Sequence, residues 1–432
     1  MASDTRLIER DPQRIDARPR DARHLKGLRF QASSKLAAEV IGRLLQFALI
    51  YAAQRLLGPA NYGIITYGLA AGVVLAPATD LGMQLIITRE IARDTQTASR
   101  LAGLGLALKL ILTLCAIALL LPISLLRPVE AAFATFILGL AVIGASFAEY
   151  FGYVFRGLRR VELDAALTLL LRLFVFAFGF AALLFRPSVN GVAVAYLIGN
   201  CLVALLGYLW LRRRFFIPQL KAKRLELLVL LRQALPLGGA ILFSIGYTRT
   251  SIFLLDALHN SSAVGEYGVA LRLTEPLAMI PAAIMAAVFP ALSHALGQQG
   301  YAATRPLRVK TIGLLALAGS AIALGGWLFG PWLIHFLYGD QYVGSTVALQ
   351  ILALAALPMF INYALTHFLV AVRQQRLNLI FNVVIFALNL ALCLWLIPQF
   401  GPSGAAFAVV LSEMLLLLLC AFALSRSSVT RV

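Results

Sequence analysis

The chain has 432 residues, of which 61% are hydrophobic and only 13% charged, and its mean hydropathy is +0.86. Soluble domains carry roughly 25% charged residues, so this composition excludes an ordinary soluble domain and defines a polytopic membrane protein. The net charge of +18 does not point to nucleic acid, because the basic residues sit mainly in short loops between apolar runs, as membrane topology requires.

Residues 1–34 are polar and arginine-rich and read as a disordered basic cytoplasmic tail that can touch anionic lipid. They are too highly charged over too long a stretch for a signal peptide. From there about twelve apolar stretches follow, at 35–57, 63–88, 101–126, 131–155, 162–185, 190–211, 226–256, 265–294, 309–337, 345–371, 377–397 and 403–424. Each is long enough as a helix to cross about 30 Å of hydrocarbon, and none alternates as a β-barrel strand would. The expected fold is therefore all-α, with about twelve transmembrane helices. Cys115, Cys201, Cys393 and Cys420 fall inside apolar runs and read as core residues, with neither disulfides nor thiolate ligation implied.

The loops divide by charge. Arg89, Arg93, Arg156, Arg159, Arg160, Arg212, Arg213, Arg214, Arg305, Arg308, Lys310, Arg373 and Arg376 fall on one side, while Arg127 and Arg186 fall on the other. This asymmetry places both termini in the cytoplasm. The organisation expected is a six-helix lobe over 35–212, a basic linker over 213–225, a second six-helix lobe over 226–425, and a cytoplasmic tail over 426–432. All outward loops are short and leave no room for a catalytic domain.

The two halves resemble each other at a spacing of roughly 205 to 215 residues. Tyr62-Gly63 has its counterpart in Tyr267-Gly268, and Pro187-Ser188 followed by Gly191 has its counterpart in Pro402-Ser403 followed by Gly404. Six spans per half keep both halves in one orientation, related by a pseudo-two-fold axis along the membrane normal. Two like lobes that can rock against each other form an alternating-access transporter.

Charge inside the apolar runs marks its pathway. A guanidinium at mid-bilayer costs about 2.5 to 3.5 kcal/mol, so an arginine kept there faces a wet or protein-lined cavity. Arg249 and Arg272 lie about seven residues before and after one outward turn, hence at similar depth on adjacent helices, and Arg43 and Arg172 supply cations from the other lobe. The guanidinium fork can bind phosphate bidentately, so the four together predict a cationic cavity for an anionic cargo. The alternative is internal pairing, Arg43 with Glu39 at i,i+4 and Arg272 with Glu275 at i,i+3. Glu275, Asp80 and Glu39 are candidates for coupling to an ion, although Asp80 can equally anchor a span end, and Lys109 can snorkel to the cytoplasmic surface. Pro236, Pro276 and Pro281 interrupt long spans and are hinge candidates. His335 and His367 have no second ligand at metal spacing and read as structural, so no metal site is expected.

The sequence resembles the Wzx-type polysaccharide or O-antigen flippases of the multidrug/oligosaccharidyl-lipid/polysaccharide (MOP) superfamily. The resemblance rests on Leu57-Gly58-Pro59-Ala60-Asn61-Tyr62-Gly63, on Asp80-Leu81-Gly82 running into Thr88-Arg89-Glu90, on Phe155-Arg156-Gly157, on Val264-Gly265-Glu266-Tyr267-Gly268 with Arg272-Leu273-Thr274-Glu275, on Phe289-Pro290-Ala291, on Tyr338-Gly339-Asp340 and on Ile397-Pro398. It covers about residues 30 to 425. It implies the MOP flippase fold and the movement of an undecaprenyl-pyrophosphate-linked oligosaccharide of O-antigen, capsule or exopolysaccharide from the inner to the outer leaflet of the bacterial inner membrane. It also implies membrane lipid and the polymerase and glycosyltransferases of the same pathway as partners, no cofactor, and H+ or Na+ as alternative coupling ions. Lipid II and drugs are alternative cargoes of the same fold, and a membrane polysaccharide polymerase or ligase is the enzymatic alternative.

Overall fold

The computed structural model describes residues 19–372 and 374–427, and side chains from Val40 onward apart from a few in α7, α9 and α12. Twelve α-helices make up the described chain, in the order α1 (Pro19–Leu75), α2 (Met83–Arg93), α3 (Ala98–Leu125), α4 (Val129–Gly157), α5 (Val161–Phe185), α6 (Val189–Arg214), α7 (Arg224–Leu258), α8 (Ser261–Thr274), α9 (Met279–Ala303), α10 (Arg305–Tyr338), α11 (Ser345–Ala371) and α12 (Gln375–Ser427). No strand occurs among the described residues. Helix α1 begins inside the stretch read as a tail, and residues 1–18 lie outside the described ones.

Nine stretches among the described residues are long and apolar enough to cross a membrane. Two of them, in α1 and α12, each fold back on themselves and cross twice. In α1 the reversal falls at Gly58, whose φ of 76° an L side chain would resist, and Pro59 then opens the second helix with its φ already set. Gly401 and Pro402 do the same in α12. The second span of the first half breaks at a 3-10 turn, Ala76–Thr79, before α2, and the second span of the other half breaks at a 3-10 turn, Glu275–Ala278, between α8 and α9. With α7, these give the expected twelve spans in two lobes.

Each lobe has its own apolar core. Met83, Ile91, Tyr150, Phe155 and Val203 fill one in the N-terminal lobe, and Leu315, Phe360, Phe368 and Cys420 fill one in the C-terminal lobe. Helix α7 belongs to both lobes. Leu230 and Ala234 from its first half pack into the N-terminal core, and Ile252 and Leu255 from its second half join Tyr267 and Tyr338. The segment 215–223 before it lies along α3, where Gln219 N donates to Ser99 O at 3.1 Å and Ser99 Oγ donates to Ile217 O at 2.7 Å.

Candidate functional site: a charged cavity between the lobes

The lobes pack tightly together at one end and enclose a cavity toward the other. At the sealed end the start of the second span meets α8, and the approach is possible only because both faces are glycine. A Cβ on Gly63 would collide with the Ser261 carbonyl, and one on Gly265 with the Pro59 carbonyl. The repeat-related motifs Tyr62-Gly63 and Tyr267-Gly268 therefore sit in one interface. Tyr342 adds a hydrogen bond from its hydroxyl to Gln54 O at 3.1 Å. Arg127, from the turn between α3 and α4, pairs with Asp256 at the end of α7, donates to Ser261 Oγ at 3.3 Å and stacks 4.2 Å from the Tyr67 ring centroid.

Toward the other end lies a cavity of about 710 Å3. The N-terminal lobe contributes α1, α4 and α5, and the C-terminal lobe contributes the end of α8, the 3-10 turn and Met279. Among the described residues four arginines line it, Arg43, Arg156, Arg172 and Arg272, together with three acids, Glu149, Asp164 and Glu275. The arginines are held differently. Arg43 reaches across the lobes to Met279 Sδ at 2.7 Å. Arg156 makes a two-point contact with Asp164, Nε to Oδ2 at 2.7 Å and Nη2 to Oδ1 at 3.3 Å, and its guanidinium lies over Tyr153. Arg172 lays its stem on Gly42, where a Cβ would leave it no room, and its charge faces Glu149 and Tyr196. Arg272 has Tyr62, Glu275 and Tyr196 as electrostatic neighbours.

Of the four arginines expected from the sequence, Arg43, Arg172 and Arg272 line the cavity, whereas Arg249 is outside the lining and reaches it through Glu275. Arg249 Nη1 donates to Glu275 Oε1 at 2.8 Å, so Glu275 pairs with the arginine of the neighbouring helix rather than with Arg272 one turn before it. Asp80 lies apart, in the core of the N-terminal lobe. It accepts from Lys109 Nζ at 2.8 Å, and the same ammonium donates to Thr79 Oγ1 at 2.9 Å and to Ser146 Oγ at 2.8 Å. Lys109 is fully buried and does not snorkel. The Glu39 side chain lies outside the described residues. Among the prolines, Pro276 lines the cavity within its 3-10 turn, Pro281 sits in the first turn of α9 where no helical hydrogen bond is lost, and Pro236 sits in α7 two residues before Gly238, which packs on the Leu81 backbone.

Sequence reasoning missed Glu149, Arg156 and Asp164 as cavity residues. An acid inside an apolar run, Phe147-Ala148-Glu149-Tyr150-Phe151, was the available signal for the first. Arg156 reads as a loop charge and Asp164 falls at the start of the 162–185 stretch, and only the tight turn between α4 and α5 brings the two together.

Two six-helix lobes around such a cavity form the fold of the MOP superfamily. An inward-facing multidrug resistance MATE family transporter of that superfamily superposes with a TM-score of 0.73 over 93% of this chain and 100% of that one, at 19% identity. The lipid II flippase MurJ, in an inward closed conformation, superposes with a TM-score of 0.68 over 90% of this chain and 87% of that one, at 14% identity. The family model described as polysaccharide biosynthesis protein matches residues 31–296, and the chain belongs to that family. A second model, MatE, matches residues 236–395. The probable flippase AglR of Haloferax volcanii is 29% identical over 174 residues, a match spanning 38% of this chain and 35% of that relative.

Proposed function

We propose that the chain is a flippase, a transporter rather than an enzyme, that carries a prenyl-diphosphate-linked oligosaccharide from the inner to the outer leaflet of the bacterial inner membrane, with both termini cytoplasmic. The observation that carries this reading is the cavity between the lobes, sealed at one end and lined by Arg43, Arg156, Arg172 and Arg272. A diphosphate crossing hydrocarbon needs its water replaced by donors, and a guanidinium supplies several in a fixed plane. The prenyl tail stays in lipid while the polar head enters between the lobes. Rocking of the lobes then opens the glycine-packed end and closes the other. The family match and the likeness to AglR support a cargo of polysaccharide assembly.

The cavity acids raise a cationic cargo as the competing reading, since a drug cation would seek carboxylates. Two of the three are already engaged, Asp164 by Arg156 and Glu275 by Arg249, which favours the anion. The test is transport in proteoliposomes loaded with lipid-linked oligosaccharide extracted from the source membranes, following access of the sugar to an external lectin. Exposure of the sugar at a rate well above that of empty liposomes supports the reading. Exposure at the rate of empty liposomes, by protein that unfolds cooperatively, overturns it.

A further inference from the structure

A second pocket, of about 530 Å3, lies in the C-terminal lobe between α9, α11 and the start of α12. Its wall repeats that of the charged cavity. Glu149, Tyr153 and Arg156 on α4 and Asp164 on α5 line the first; Tyr363, His367 and Val370 on α11 and Asn378 on α12, each 214 residues later, line the second. That offset falls within the spacing of the internal repeat, so these two walls are equivalent faces in the two halves of the chain. Between the copies the chemistry changes. A carboxylate, a guanidinium and a carboxylate in the first are replaced by a phenol, a valine and a carboxamide in the second, and among the described residues no acid, lysine or arginine lines it.

The 3-10 turn and the first half of α9 run from one pocket to the other. Pro276 and Met279 line the charged cavity and Ala282, Ala286 and Phe289 line the second, at steps of three and four that keep to one helix face. In the second pocket His367 stacks on Tyr363, ring centroids 4.8 Å apart, and meets Phe289 edge-on at 5.8 Å. His367 Nδ1 lies 2.6 Å from Tyr363 O. A carbonyl only accepts, so Nδ1 carries the hydrogen, and in the neutral ring Nε2 is left to accept.

We propose that this pocket is a carbohydrate subsite, holding a sugar of the cargo while the charged cavity holds the diphosphate; the inference rests on the flippase reading above. A sugar ring presents apolar C–H faces and hydroxyls that both donate and accept. Aromatic faces beside a phenol, an imidazole acceptor and a carboxamide match both features, and the described lining is uncharged.

The test is equilibrium binding to the full-length protein of two probes, the lipid-linked oligosaccharide extracted from the source membranes and a sugar-free polyprenyl diphosphate. The wild type should bind the glycosylated probe at least tenfold tighter. Tyr363→Leu and Asn378→Ala should lose that margin and bind the sugar-free probe as the wild type does, which also reports that they are folded. A wild type without the margin, variants that keep it, or loss of both probes by both variants would overturn the subsite. Failure of the wild type to bind either probe would instead remove the flippase reading on which it rests.

Discussion

Arg127 and Asp256 form an ion pair that joins the two lobes at the sealed end, with side chains only 5% and 10% exposed. Opening that end must pull the pair apart, so the pair weights the equilibrium toward the sealed state. Removing one partner of a buried pair costs about 3–5 kcal/mol, because the other charge is stranded. Asp256→Ala puts that cost on the sealed state alone. Spin labels at the exposed positions Val129 and Leu258 should then report a longer-distance population at least tenfold larger than in the wild type. An unchanged distance distribution would count against a latch.

The glycine contact makes an independent demand on the same end. Gly63→Ala and Gly265→Ala each place a methyl against a backbone carbonyl that cannot swing aside, so both should shift the same distances outward and slow transport. Gly144→Ala is the control: its nearest neighbour, Cys201 Sγ at 3.4 Å, is an ordinary van der Waals contact, and the distances should not move.

Lys109 and Asp80 form a buried pair within one lobe, so they should act on stability and not on the position of the lobes. Lys109→Ala leaves Asp80 buried without its counter-charge, a loss of about 3–5 kcal/mol that a lowered thermal unfolding midpoint in detergent would register. The double change Lys109→Met with Asp80→Asn removes both charges and should recover most of the midpoint. A double variant as unstable as the single one would contradict this account.

The fold was legible because hydropathy alone locates apolar spans, and the reversal at Gly58-Pro59 falls in the gap between the first two, 35–57 and 63–88. The sharing of α7 between lobes was not, since Leu230 and Ile252 are equally apolar and only packing assigns them to different cores. The site was legible in part. Arg43, Arg172 and Arg272 stand out as cations inside apolar runs, and they line the cavity. The pairing of the acids did not follow from helical spacing, because the contacts that form cross between helices: Glu275 meets Arg249, 26 residues away, and Asp80 meets Lys109, 29 away. Arg127 read as one of two charges in outward loops, and burial against Asp256 and Tyr67 is a property of the assembled lobes.

The most direct test of the charged cavity as the path of an anionic cargo is the flipping rate of Arg172→Gln in proteoliposomes, beside wild type with the same unfolding midpoint. A charge-assisted hydrogen bond contributes about 1.5–3 kcal/mol, so the variant should flip lipid-linked oligosaccharide roughly ten to a hundred times more slowly. Flipping at the wild-type rate would contradict the account and leave Arg172 only a packing role against Gly42.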